Sequence, residues 1–189
     1  MSRPAVFLDR DGVLVEEVYY PHTGEWEAPL RAEDVCLVVG SAAAAKRLAD
    51  AGFALVLISN QGAYAKGKTT LRALWLAHER FVALLAAERV SLDATFYAYG
   101  HPGGSTPYFS GPSLDRKPGP YNLYIAAAQL DLDLARSWFV GDRETDMACA
   151  RAGDVRGILV ENPHYTVTTP DHAIRVEDLA RATGHILNS

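Results

Sequence analysis

A chain of 189 residues with 49% apolar and 22% charged residues holds enough apolar material for one core and too much for disorder, so one unit spanning residues 1–189 is expected. The formal net charge of −5, with Lys and Arg scattered, gives no footprint for a nucleic-acid backbone, and the apolar runs all fall short of a bilayer span. Nucleic acid and membrane are therefore not expected partners. The four apolar residues before the first charged cluster are too few for a signal-peptide core, so a cytoplasmic location is expected.

The first apolar run, residues 5–8, ends in Asp9-Arg10-Asp11-Gly12 and reads as a strand. Residues 16–35 are rich in aromatics, Pro and Gly and break the pattern. Ser41 can cap an alanine-rich helix ending at Gly52, and residues 54–59 form a second strand running into Ser59-Asn60-Gln61-Gly62. Thr70 can cap a helix reaching about Glu88. Its apolar stripe of Leu71, Leu74, Trp75, Val82 and Leu85 is widened by Leu76, Phe81 and Leu84, which predicts a broad burial face or a self-association face. A monomer or small homo-oligomer fits either reading.

A third strand is expected over residues 95–99, followed by a long loop, residues 100–119, with five Gly and four Pro. Pro120 suits the first turn of a helix reaching about Leu130. Residues 137–140 and 156–160 read as strands around a helix from about Glu144 to Ala152, which Gly153 terminates. A Pro-containing loop over residues 161–171, a short run over 173–176 and a helix from about Glu177 complete the chain. Near-continuous hydrophobicity in the strands, with helices between them, predicts an α/β fold: a central parallel sheet flanked by helices, with no room for a large cap domain. Cys36 and Cys149, in apolar stretches without CxxC spacing, are expected to be reduced core thiols.

Chemistry concentrates where strands end, the place parallel sheets put their ligands. Asp9 and Asp11 are like charges two residues apart, costly together unless a hard divalent cation lies between them; an acidic turn is the plainer alternative. Ser59 and Asn60 offer a hydroxyl and an amide suited to phosphate oxygens. Arg116-Lys117-Pro118 places an ammonium just before a helix start, where an anion is favoured, and Asp142-Arg143-Glu144-Thr145-Asp146 adds carboxylates after the fourth strand.

In order, these four segments resemble the motifs of the haloacid dehalogenase superfamily across residues 5–160. Phe7-Leu8-Asp9-Arg10-Asp11-Gly12, the segment from Ser59 to Gly67 and Arg116-Lys117-Pro118 are similar to its histidinol-phosphate and heptose bisphosphate phosphatase branch. The resemblance implies a magnesium-dependent phosphomonoester hydrolase working through an aspartyl-phosphate. Asp9 would be the nucleophile and Asp11 the general acid and base. Magnesium would take an oxygen of Asp9, the backbone carbonyl of Asp11 and the carboxylate of Asp142, with Asp146 supporting it from behind. Ser59, Asn60 and Lys117 would hold the phosphoryl group.

The implied substrate is a small phosphorylated metabolite, most naturally a heptose phosphate or bisphosphate, with histidinol phosphate as the alternative. A domain that binds such a ligand without turning it over is the rival of another class. Arg116, Lys66, Arg10 and Arg143 are candidates for a second anionic group. Relatives commonly carry zinc in the long loop, held by paired Cys and His. The matching positions here are Ala98, Gly100, Ser113 and Asp115, so no zinc is expected. His101 alone reads as a turn or substrate contact. Ser105, Thr106, Tyr108 and Phe109 are available in the loop to meet a leaving group.

Overall fold

The computed structural model describes residues 2–167 and 174–189. The chain runs β1 (Ala5–Leu8), β2 (Val18–Tyr20), β3 (Glu25–Glu27), α1 (Ser41–Asp50), β4 (Ala54–Asn60), α2 (Leu71–Ala87), β5 (Ala94–Ala98), α3 (Tyr121–Leu130), β6 (Trp138–Gly141), α4 (Glu144–Ala152), β7 (Arg156–Val160), β8 (Ile174–Val176) and α5 (Leu179–Leu187). Six of the strands form one parallel sheet in the order β5-β4-β1-β6-β7-β8. This is the expected α/β architecture, enlarged by an edge strand. The expected run over 173–176 supplies that strand, although Ala173 lies outside the described residues, as do positions 168–171 of the preceding loop.

Alternation along the central strands divides the core in two. Val6, Leu8, Leu55, Leu57 and Val140 point toward α1, α2 and α5, whereas Ala5, Phe7, Val56, Ile58 and Phe139 point toward α3 and α4. Helices cover both faces, so every residue of β1 and β6 is buried. Leu8 pairs with Leu57 on one side and Val140 on the other, which brings the ends of β1, β4 and β6 to one edge. The chain leaves β1 toward β4 and β5, then crosses back to β6, so the order reverses beside β1 and opens a crevice there.

Several local expectations are corrected. Residues 16–35 contain an antiparallel hairpin, β2–β3, with Tyr19 opposite Trp26. Ser41 does not cap α1. Gly40, at φ +80°, occupies that position, and the Ser41 hydroxyl donates to the Leu14 carbonyl at 3.1 Å. Thr70 does cap α2, accepting from the Ala73 amide. Pro120 precedes the first residue of α3 and takes the capping place.

The burial face of α2 is narrower than the stripe suggested. Leu74, Ala77, Phe81 and Leu85 are buried, while Leu71, Trp75, Leu76 and Val82 are exposed. The helix covers the margin of the sheet near the edge strand β5, which offers it only part of a face. Cys36 is exposed and only Cys149 is buried. The chain is extended there, so Val35 turns into the core and its neighbour turns out. Among the described residues no helix is long and apolar enough to cross a membrane.

Candidate active site

Asp9 leaves β1 with its amide donating to the Val140 carbonyl at 3.0 Å, which ties the start of the following turn to β6. The turn that follows is closed by Leu14 and Val15 amides donating to the Arg10 carbonyl. Gly12, at φ +81°, is required on two counts: the left-handed backbone, and the collision that a Cβ would make with the Asp142 carboxylate.

Lys117 arrives from the long loop and is almost wholly buried. Its ammonium lies 2.9 Å from Asp9 Oδ1 and 2.6 Å from Asp146 Oδ1, and donates to the Ile58 carbonyl at 2.9 Å. Asn60 holds it by the backbone, its Oδ1 accepting from the Lys117 amide at 3.0 Å and its Nδ2 donating to the Lys117 carbonyl at 3.1 Å. Asn60, expected on the phosphate, is therefore committed to placing the lysine. Burial works against the charged ammonium, but Asp146 and Asp9 outweigh it and hold the pKa above the usual lysine range.

Asp9, Asp142 and Asp146 each offer a carboxylate oxygen to one spot, all three within 4.8 Å of one another. Burial raises the Asp9 pKa to about 7 despite Lys117, with Asp146 and Asp11 adding to the rise. Burial, then Asp9 and Asp146, raise that of Asp142 to about 8. One oxygen of Asp142, Oδ1, is buried with no hydrogen-bond partner. Mutually repelling buried carboxylates and a bare acceptor oxygen fit a hard divalent cation with oxygen ligands.

The Asp11 carboxylate is not in this cluster. Arg10 Nε donates to its Oδ1 at 2.9 Å, Gln61 Nε2 donates to its Oδ2 at 2.7 Å, and the Ser59 hydroxyl lies 3.4 Å from Oδ2. Arg10 is buried, donates also to Gln61 Oε1 at 3.0 Å, and lies over the Tyr97 ring. Tyr97, whose pKa burial pushes up to about 12, meets His78 Nδ1 at 3.0 Å. Arg10 thus holds Asp11 and is not available to a second anion. Arg143 is likewise engaged, pairing with Glu17 at 2.7 Å and stacking on Tyr165. Gln61, Glu17 and Asn162 were not singled out from sequence. Gln61 adjoins Ser59-Asn60, but nothing local marks Glu17 or Asn162.

Arg116 is half-buried and donates to the Gly100 carbonyl at 3.1 Å, while Lys66 is exposed. Both press on His101, whose pKa is lowered by burial first and then by these two cations. The group adjoins the site through Gly62, whose added Cβ would stand 3.0 Å from His101 and 3.4 Å from Arg116. In the long loop, Ser105 and Thr106 amides donate to the Ala65 carbonyl, and the Thr106 hydroxyl donates to that of Tyr64. Phe109 packs edge-on against Tyr64. These three residues anchor the loop, leaving Tyr108 fully exposed. His101 bridges the two arms, its amide donating to the Phe109 carbonyl at 3.0 Å and its carbonyl accepting from Gly111 at 3.2 Å.

Residues 114–182 match a family profile described as HAD-hydrolase-like. A D-glycero-D-manno-heptose-1,7-bisphosphate 7-phosphatase from Thermosynechococcus vestitus is 40% identical over 96% of this chain and 94% of its own. A D-glycero-beta-D-manno-heptose-1,7-bisphosphate 7-phosphatase from Escherichia coli K12 is 36% identical over 82% of this chain and 76% of its own. The solved structure of a D,D-heptose 1,7-bisphosphate phosphatase from B. bronchiseptica, complexed with magnesium and phosphate, superposes with a TM-score of 0.81. Its sequence identity is 26%, and the match covers 98% of both chains.

Proposed function

The chain belongs to the haloacid dehalogenase superfamily and is a phosphatase of its heptose bisphosphate branch, and from that premise we propose that it hydrolyses a heptose bisphosphate through an aspartyl-phosphate on Asp9. The observation that carries this reading is the meeting of Asp9, Asp142 and Asp146 with the Lys117 ammonium at one sheet edge.

Lys117 favours the ionised form of Asp9, which is the form that attacks. Attack forms the Asp9–phosphorus bond and breaks the ester bond, while Asp11, in its protonated form, gives its proton to the leaving alcohol. Water then attacks phosphorus as Asp11 takes back a proton, and Asp9 is released. Arg10 and Gln61 set the direction of Asp11 through both reactions. The Ser59 hydroxyl, beside Asp11 and Gln61, is read as a donor to a phosphoryl oxygen. Magnesium, held by Asp9 and Asp142 with the Asp11 carbonyl and with Asp146 beside them, would supply charge neutralisation on the phosphoryl oxygens.

Arg116 and Lys66, both close enough to His101 to act on its charge, are read as the contacts for the second phosphate. The long loop offers alanine, glycine, serine and aspartate where relatives carry zinc ligands, and we read it as zinc-free. The relatives favour heptose over histidinol as the leaving group. The test is a phosphatase assay on heptose bisphosphate, heptose monophosphates and histidinol phosphate, with magnesium and with chelator. Highest kcat/KM on the bisphosphate, lost in chelator, is expected. Preference for histidinol phosphate would overturn the substrate, and equal rates in chelator the metal.

A further inference from the structure

Between Asp142 and the hairpin lies a chain of contacts that the reaction scheme does not use. Glu17, at the root of β2, is buried, and its carboxylate accepts from Arg143 at 2.7 Å and from Asn162 Nδ2 at 3.0 Å. The same Asn162 amide nitrogen donates to Asp142 Oδ2 at 2.5 Å. Its two hydrogens are thus divided between the two carboxylates, and its Oδ1 accepts from the His164 amide at 2.9 Å, which fixes its orientation. Every polar atom of the Asn162 side chain is engaged.

The consequence falls on Asp142. A carboxylate on two single bonds can present either oxygen to the crevice. Here Oδ2 is taken by Asn162, and Oδ1 is the oxygen left bare. Gly12 presses on the same carboxylate from the other side, because a Cβ there would strike both Asp142 and Asn162.

We propose that Asn162 is a positioning residue for the divalent cation: held by Glu17, it fixes the Asp142 carboxylate so that Oδ1 faces the Asp9 and Asp146 carboxylates. Asn162 itself touches neither cation nor substrate. The inference rests on the magnesium reading above. Groups that orient a metal ligand in this way change metal affinity by about tenfold to a hundredfold when removed.

The test is calorimetric titration of magnesium into the substrate-free full chain, as wild type, Asn162→Ala and His164→Ala. The His164 ring stacks on Trp26, so its variant loosens the turn while keeping the His164 amide that holds Asn162 Oδ1. Expected are a magnesium Kd raised about tenfold or more in Asn162→Ala and unchanged in His164→Ala. In turnover assays, excess magnesium should restore the kcat of Asn162→Ala, with the substrate KM unmoved. Wild-type affinity in Asn162→Ala, or equal loss in both variants, would overturn the proposal. A wild-type chain that takes up no magnesium would overturn the parent reading as well, which separates the two failures.

Discussion

The ammonium of Lys117 stands 2.9 Å from Asp9 Oδ1, with both side chains nearly closed to solvent. Such a pair is held in place by neighbours that satisfy its remaining valences, here the Ile58 carbonyl and Asp146. Removing one member leaves buried charge uncompensated. Lys117→Met should therefore lose turnover and also stability, on the order of 3–5 kcal/mol. Thermal denaturation checks this, and a melting temperature equal to wild type would count against the pairing.

Asp9→Asn keeps the shape of the side chain and removes the proposed nucleophile. No turnover is expected with an unchanged circular dichroism spectrum, and a variant retaining substantial activity would remove Asp9 from that role. Asp11→Asn, by contrast, should keep substrate affinity and lose roughly 10²–10⁴ in kcat, the range of general acid–base catalysis.

Gln61 donates to one oxygen of Asp11 while accepting from the arginine that holds the other. Gln61→Ala removes one of the two bonds that aim Asp11, and a fall in kcat of about tenfold or more is expected, about 1.4 kcal/mol of barrier. Steady-state kinetics check this, and an unchanged kcat would show that Arg10 alone suffices.

Without metal, Asp9 and Asp142 have folded-state pKa values raised to about 7 and about 8 from an ordinary 3.8. Raised acid pKa values mean that the folded protein binds more protons than the unfolded chain between about pH 4 and pH 8, so stability falls as pH rises through that window. The metal-free protein should therefore melt at a lower temperature at pH 8 than at pH 5.5. Magnesium should raise the melting temperature more at pH 8, where Asp9 is largely and Asp142 about half deprotonated, than at pH 5.5, where both hold their protons. Scanning calorimetry at the two pH values decides it, and an equal magnesium shift at both would contradict the assignment.

The two thiols should separate in labelling. Cys36 is exposed, whereas Cys149 is buried and its thiol is pushed up to about 12 by burial. One equivalent of a thiol reagent should react rapidly in native protein and the second only on unfolding. Two fast equivalents would place Cys149 outside the core.

Much of this was legible in the chain before its shape was known. The four strand-end segments carry short-range signals: an apolar run that stops at a carboxylate, a hydroxyl, a lysine before a helix, a second carboxylate. The parallel sheet then does the rest by bringing those ends to one edge. What escaped notice depends on side-chain direction. That Arg10 turns back to hold Asp11 and that Asn60 clasps the Lys117 backbone are decided by packing, and either residue could equally have faced a phosphate. Glu17 and Asn162 stand 145 residues apart and meet only through folding. The hairpin was missed because its strands are three residues long, too short for alternation to show.

The long loop draws its shape from amide-to-carbonyl bonds across His101 and onto Ala65, and neither cysteine of the chain lies within it. Bonds of that kind do not respond to oxidants or to the supply of a soft metal. If the loop is zinc-free as proposed, oxidative stress or scarcity of such a metal would leave this side of the molecule standing.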